Sequence, residues 1–189
     1  MIYYAEMKVL LHSCCGPCAS ACVPRLKALG HEVTMLFANS NIDTREEFEK
    51  RLAEARKVAE AEGVALAALP YDHDAWLREV AAGFENEPEK GKRCERCFRY
   101  NLALAADYAA RNRIPAFTTS LTVSPHKISE LVFAAGEAAN NDSTRFLAEN
   151  FKKNDGFKRS LQRSAELGLY RQSYCGCEFS KPKSTTAES

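Results

Sequence analysis

The chain has 189 residues, with 26 Lys and Arg against 25 Asp and Glu, a net charge of +1. That length suits one domain, domains running about 100–200 residues, and a chain that buries roughly 70% of its unfolded surface needs no disulfide staples. Near-neutrality excludes a strongly polybasic chain, and no apolar run reaches the roughly 18 residues of a membrane span.

The start, MIYYAEMKVLLHSCC, lacks a basic segment followed by a long apolar stretch, so no signal peptide is read and a cytoplasmic protein is expected. Lys8 to His12 is a short apolar run and predicts a buried strand. Cys14-Cys15-Gly16-Pro17 then predicts a tight turn into a helix, with Pro17 at a first-turn position where its missing N–H costs nothing. That helix is expected to reach Leu29 and stop at Gly30, and His31 to Ala38 is the second strand. Thr44-Arg45-Glu46-Glu47 is a capping-box pattern opening a charged helix to Glu62. Val64 to Leu69 reads as a third strand and Asp74 to Ala82 as a short helix. Residues 84–93 are a polar loop before a long helix from Cys94 to Arg111. Ala116 to Leu121 is the fourth strand, and Ser124-Pro125 is expected to open the next helix. Short helices are expected near 143–150 and 157–167. Residues 1–180 form one unit with a helical C-terminal part, followed by a disordered tail from 181 to 189.

Alternating strands and helices predict an α/β fold, with a doubly wound, mostly parallel sheet. In such sheets the site lies beyond the carboxyl ends of the strands. Cys14 and Cys15 follow the first strand, Asn39 and Asn41 the second, and Ser124, His126 and Lys127 the fourth. They are expected to meet on one rim.

Eight cysteines are the informative count. At roughly 4% they fall well below a disulfide scaffold. Seven of them sit in three tight groups: Cys14, Cys15 and Cys18; Cys94 and Cys97; Cys175 and Cys177. Near-adjacent cysteines close almost no chain and make poor staples. Without a secretory signal, such groups bind metal or do redox chemistry. Cys94 and Cys97 are three apart at a helix start, where first-turn amides favour thiolate. Four thiolates from two segments can hold zinc or an iron–sulfur cluster; adjacent Cys14-Cys15 does not form a zinc knuckle. Cys18 is a candidate to ligate a second metal or to replace a cluster ligand, and Cys22 is assigned to the core. Cys175 and Cys177 point to the same side if extended. They are either an easily reduced disulfide couple or two more metal ligands.

Residues 90–99 carry five basic side chains against Glu95, and 151–171 carry six, Lys152, Lys153, Lys158, Arg159, Arg163 and Arg171, against Asp155 and Glu166. Phe151, Phe157, Tyr170 and Tyr174 are interleaved. Basic residues can track phosphates while aromatics stack on unpaired bases; the alternative is a solvated helix face. His12 is read either as a core histidine or, with His126 and Lys127, as an acid–base group.

Five motifs taken together resemble the QueH-type epoxyqueuosine reductases. They are His12 to Cys18 (HSCCGPC), Glu87 to Cys97 (EPEKGKRCERC), Thr118 to Lys127 (TTSLTVSPHK), Asn150 to Phe157 (NFKKNDGF) and Leu169 to Cys177 (LYRQSYCGC). The likeness spans roughly residues 8–180. It implies a fold of the adenine-nucleotide α-hydrolase (HUP-like) type and reduction of epoxyqueuosine to queuosine at the wobble position of tRNA. It further implies a 4Fe-4S cluster on Cys14, Cys15, Cys94 and Cys97, and a redox-active disulfide between Cys175 and Cys177. A second, mononuclear iron near Cys18 and an unidentified electron donor complete the expectation, with His126 as a catalytic proton donor and Lys152, Lys153, Lys158, Arg159 and Arg171 on the RNA. One departure stands out: the family commonly has Asn-Pro-Asn-Ile after the second strand, and this chain has Asn39-Ser40-Asn41-Ile42. Two other readings are a zinc-stabilised RNA-binding module and an ATP-dependent tRNA sulfur transferase. The latter wants a Ser-Gly-Gly-rich phosphate loop where this chain offers only Gly16.

Overall fold

The structure, a computed structural model, describes residues 6–182. From residue 183 onward the expected tail lies outside them. Five strands, β1 (Lys8–His12), β2 (Glu32–Phe37), β3 (Ala65–Ala68), β4 (Ala116–Thr119) and β5 (Arg145–Phe146), form one sheet in the order β3-β2-β1-β4-β5. All four pairings are parallel. Parallel strands need crossover connections, and helices supply them on both faces.

Alternation along the strands explains the two layers. Val9, Leu11, Met35 and Phe37 face α1 (Gly16–Ala28) and α2 (Arg45–Glu62), with Val23, Leu26, Phe48, Leu52 and Val58 in the same cluster. Leu10, Leu36 and Phe117 face α4 (Lys92–Arg111) and α5 (Ser129–Ala138), against Leu102, Ala105, Val132 and Phe146. Cys22 is fully buried in the first cluster, as its core assignment requires. The last helix, α6 (Gly156–Glu166), packs on α1.

Local chemistry sets the element ends. Thr44 caps α2, its hydroxyl accepting from Glu47 N–H at 3.2 Å. The Glu47 carboxylate does not turn back to complete the box; it accepts from Arg51 and from the Tyr170 hydroxyl. The expected helix at 74–82 splits into α3 (His73–Trp76), capped by Asp72, and a π-helical turn over Leu77–Ala81. β4 stops at Thr119 because its hydroxyl accepts from Leu121 N–H, and a 3₁₀ turn follows over Ser120–Val123.

Two expected helix positions are corrected. Ser124-Pro125 forms a turn, the Ser124 hydroxyl accepting from His126 N–H, and α5 begins only at Ser129. Residues 143–150 hold a strand instead of a helix. The open edge of β4 recruits the backbone of Arg145 to Leu147, and the Phe146 ring packs tilted against Phe117 at 5.3 Å between centroids.

His12 ends β1 and is fully buried. Its Nε2–H donates to Ala38 O at 3.3 Å, and its Nδ1 accepts from the Thr119 hydroxyl at 2.9 Å. Those partners fix the tautomer. Burial pulls its pKa down to about 4, although the Ala38 bond works the other way. His12 is therefore a neutral core residue.

Gly16 opens α1 where it crosses α2. A Cβ there would lie 2.7 Å from both C and O of Glu54, backbone atoms that cannot swing aside.

Two outcomes follow for stability. Gly16→Ala should destabilise the fold by about 1–3 kcal/mol, read from urea denaturation midpoints, because the two helices must part. Below about pH 6.5 the unfolded chain takes up a proton that folded His12 refuses. Stability should therefore fall by up to about 3 kcal/mol as the pH drops to about 4. His12→Gln should lack this contribution in pH-dependent melting, and an unchanged profile would contradict the assignment.

Candidate active site

The strand order reverses at β1. The chain runs from β1 out to β2 and β3, then returns to place β4 on the other side. The crevice beyond the carboxyl ends of β1 and β4 is the switch point of the sheet, where open α/β sheets bind ligands. A cavity of about 430 Å³ opens there, lined by Cys14, Cys18, Asn39, Asn41, Cys97, Ser124, His126, Lys127, Gln172 and Cys175 among others. The rim groups expected from the three strand ends thus converge.

Cys14 joins the two sides of the crevice. Its N–H donates to Ser120 Oγ at 3.0 Å, and the Ser120 hydroxyl donates to Cys14 Sγ at 3.2 Å. The sulfurs of Cys14, Cys15 and Cys18 lie within 4.8 Å of one another and form a triad able to hold a metal ion. Their charge is shared unevenly. Hydrogen bonds from Cys14 and Cys18 hold the Cys15 thiol well below the usual range, while contacts with Cys14 and Cys15, and burial, push Cys18 up.

Cys94 and Cys97 stand outside that triad. Cys97 is on the cavity wall, with Asn101 Nδ2 at 3.7 Å, and Cys94 accepts from Lys90 N–H at 3.3 Å. The expectation that first-turn amides favour their thiolates is not met, because burial dominates and pushes both thiols up.

The Cys-Gly-Cys segment comes back from the far end of the chain and is bonded on several sides. Arg51, 1% exposed, donates from Nη1 to Cys175 O at 2.9 Å and from Nη2 to Tyr174 O at 3.4 Å, and from Nε to the Glu47 carboxylate at 2.7 Å. Asp43 N–H donates to Gly176 O at 3.0 Å. Gly176 has φ 142°, a conformation that side chains oppose, and a Cβ would meet Asn41, Arg51 and Ile42 within 3.3 Å. Both thiols are free. Lys127 Nζ donates to Cys175 Sγ at 3.0 Å.

The basic side chains divide into two kinds. Arg93, 2% exposed, donates from Nη1 to the carbonyls of Phe84, Glu85 and Glu87, and Arg96 binds those of Val80 and Glu79. They organise the loop before α4. Lys152 also turns inward, to Lys127 O and the Ser129 hydroxyl. Lys153, Lys158 and Arg159 are exposed, and Arg171 lies at the cavity while donating to Ser164 Oγ. His126 is exposed at the rim.

Sequence reasoning missed Arg51, which looks like any charge on an amphipathic helix. It also missed the amides of Asn101 and Gln172, whose buried Oδ1 and Oε1 have no hydrogen-bond partner among the described residues. The one available signal was the position of Gln172 beside the Cys-Gly-Cys segment. Among the described residues no helix is long and apolar enough to cross a membrane.

The profile of the family described as Epoxyqueuosine reductase QueH matches residues 9–183. A protein of that name from Acinetobacter baylyi is 37% identical over 175 residues, 92% of this chain and 80% of that protein. Its counterpart from Streptococcus pyogenes serotype M1 is 35% identical over 178 residues, 90% of this chain and 69% of that protein. Among solved structures, the U34-tRNA thiolase NcsA from Methanococcus maripaludis with its [4Fe-4S] cluster superposes with TM-score 0.59 at 11% identity. It covers 96% of this chain and 63% of that one, a likeness of fold.

Removing Arg51 leaves a carboxylate and two carbonyls without their buried donor. Arg51→Leu should cost about 3 kcal/mol in urea denaturation and expose residues 170–182 to limited proteolysis. An unchanged midpoint with an intact C-terminal segment would show that the segment is held by other means.

Proposed function

Because the chain belongs to the epoxyqueuosine reductase QueH family, we propose that its thiol-lined cavity is where epoxyqueuosine in tRNA is reduced to queuosine. The observation that carries this reading is the gathering of sulfur from three distant segments, Cys14 and Cys18, Cys97, and Cys175, around one cavity at the switch point.

Reduction of the epoxide removes its oxygen as water and consumes two electrons and two protons. Cys14, Cys15, Cys94 and Cys97 are the residues proposed to hold a 4Fe-4S cluster, and Cys18 is the ligand proposed for a second, mononuclear iron. The donor set fits such groups: soft sulfur ligands, of which Cys14, Cys15 and Cys18 already adjoin. A cluster held there supplies electrons one at a time.

The chain's own residues do the rest. Cys175 and Cys177 as dithiol carry a reducing pair and finish as a disulfide, which a separate electron donor must reopen. The 430 Å³ cavity receives a nucleotide flipped out of the anticodon loop. Asn101 Oδ1 and Gln172 Oε1, buried acceptors without partners among the described residues, are available to its hydroxyl and N–H groups. Lys153, Lys158, Arg159 and Arg171 are placed to meet phosphates outside it, whereas Lys152 supports Lys127 from behind. His126 at the rim is proposed to supply a proton.

Protein purified without oxygen should be brown and carry about four acid-labile sulfides and about five irons per chain, four in the cluster and one in the mononuclear site. One tightly held zinc and no sulfide would overturn the cluster and favour a zinc-stabilised RNA-binding module. Cys177→Ser should keep the chromophore yet lose repeated turnover on tRNA bearing epoxyqueuosine, and undiminished multiple turnover would remove the disulfide from the reaction.

A further inference from the structure

The Cys-Gly-Cys segment is not symmetric about the cavity. Cys175 lines it, half-buried. Cys177 does not; it is 9% exposed and packs behind the wall with Trp76, Val80 and Ala81. The backbone between them is held at both ends. Arg51 and Asp43 bind the carbonyls of Cys175 and Gly176, while the Ser180 hydroxyl accepts from Gly176 N–H and donates to Cys177 O at 2.8 Å. Exchange of the two positions by a local turn would break these bonds.

Lys127 adds the second observation. Its side chain lines the same cavity, with Nζ 5.5 Å from the centre of the Phe98 ring and 3.0 Å from Cys175 Sγ. The charges that act on this ammonium belong to sulfurs: Cys175 first, then Cys14 and Cys97. Burial opposes its charge, and the sulfurs around it, Cys175 foremost with Cys14 and Cys97, together hold its pKa above the usual lysine range. A buried ammonium is sustained by an opposite charge beside it. The group in place to carry that charge is the Cys175 sulfur. Burial pushes the Cys177 thiol up.

We propose that Cys175 is the thiol that meets the epoxide, as a thiolate paired with the Lys127 ammonium, and that Cys177 is the resolving thiol. Lys127 is then a catalytic residue. The assignment rests on the reductase reading and divides its labour. The Cys175 thiolate attacks an epoxide carbon, forming a C–S bond and breaking a C–O bond, and Lys127 gives its proton to the released oxygen. Cys177 next attacks the Cys175 sulfur. An S–S bond forms, the C–S pair closes the carbon–carbon double bond, and the neighbouring hydroxyl leaves and takes the Cys177 proton as water. Two thiols have lost two electrons and the epoxide has gained them. Lys127 ends as a neutral amine, matching the charge lost from Cys175, and the proton proposed to come through His126 restores its ammonium for the next cycle.

The test labels the reduced holoenzyme with limiting iodoacetamide under nitrogen and reads each cysteine by mass spectrometry. Cys175 should be alkylated at least about tenfold faster than Cys177. Lys127→Gln should slow Cys175 by about tenfold or more while leaving Cys177 unchanged, and Lys127→Arg should restore most of the rate. Faster labelling of Cys177, or a Cys175 rate indifferent to Lys127→Gln, would overturn the assignment. Should Lys127→Gln fail to fold, single turnover decides: Cys177→Ser should trap a Cys175 thioether to an epoxide-bearing anticodon stem-loop, and its absence overturns the proposal. The labelling uses no substrate. If the labelling order holds but turnover never generates the Cys175–Cys177 disulfide, the redox-couple reading fails and the thiolate assignment stands.

Discussion

The active-site region depends on one hydroxyl. Between β1 and β4 the sheet changes direction, and the loops leaving these strands travel to opposite sides. That divergence opens a crevice but leaves its floor unsupported. Ser120 spans it, accepting from the Cys14 amide and donating to the Cys14 sulfur. The turn after β1 and the 3₁₀ turn after β4 are thereby held a hydrogen bond apart. Gly16 then lets α1 start in backbone contact with α2, which places the sulfurs of Cys14, Cys15 and Cys18 on one end of one helix.

On this frame the cations do different jobs from those a charge count suggests. The chain is almost neutral, and several of its basic groups are buried as braces. Arg51 ties the C-terminal segment to α2, Arg93 gathers three carbonyls of the loop before α4, and Lys127 faces sulfur. Such interior cations demand complete hydrogen bonding, and they specify a single arrangement of the loops they bind. Lys153, Lys158, Arg159 and Arg171, by contrast, stay exposed and able to meet phosphate.

Where local pattern and tertiary need agreed, the sequence was legible. The apolar run Lys8–His12, the Thr44 cap and the long helix expected from Cys94 to Arg111 each carry their own instructions; all three formed, the helix starting two residues earlier at Lys92. So did the meeting of Cys14, Asn39, Asn41 and Lys127, since strand ends in a parallel sheet must lie on one rim. Ser124-Pro125 misled because a serine can cap a turn as readily as a helix. Residues 145–146 became a strand only because the edge of β4 was waiting for one. The triad of Cys14, Cys15 and Cys18 was in plain view, but the relation of Cys94 and Cys97 to it is tertiary. Nothing in the neighbourhood of Arg51 in the chain distinguishes it from its charged helical companions; its value appears only when residues 174 and 175 arrive.

That arrival has a consequence for biogenesis. Arg51 and Cys175 are separated by 124 residues, and Cys14 and Ser120 by 106. Contacts of such range form late, after local helices and neighbouring strands. During synthesis the cysteines of the first turn leave the ribosome long before the segment that will wall them in, and they stay open to oxygen and stray metal meanwhile. A nascent chain of this kind is most vulnerable between the emergence of α1 and the docking of Cys-Gly-Cys, so its yield in air is set by the speed of closure as much as by the stability of the finished fold.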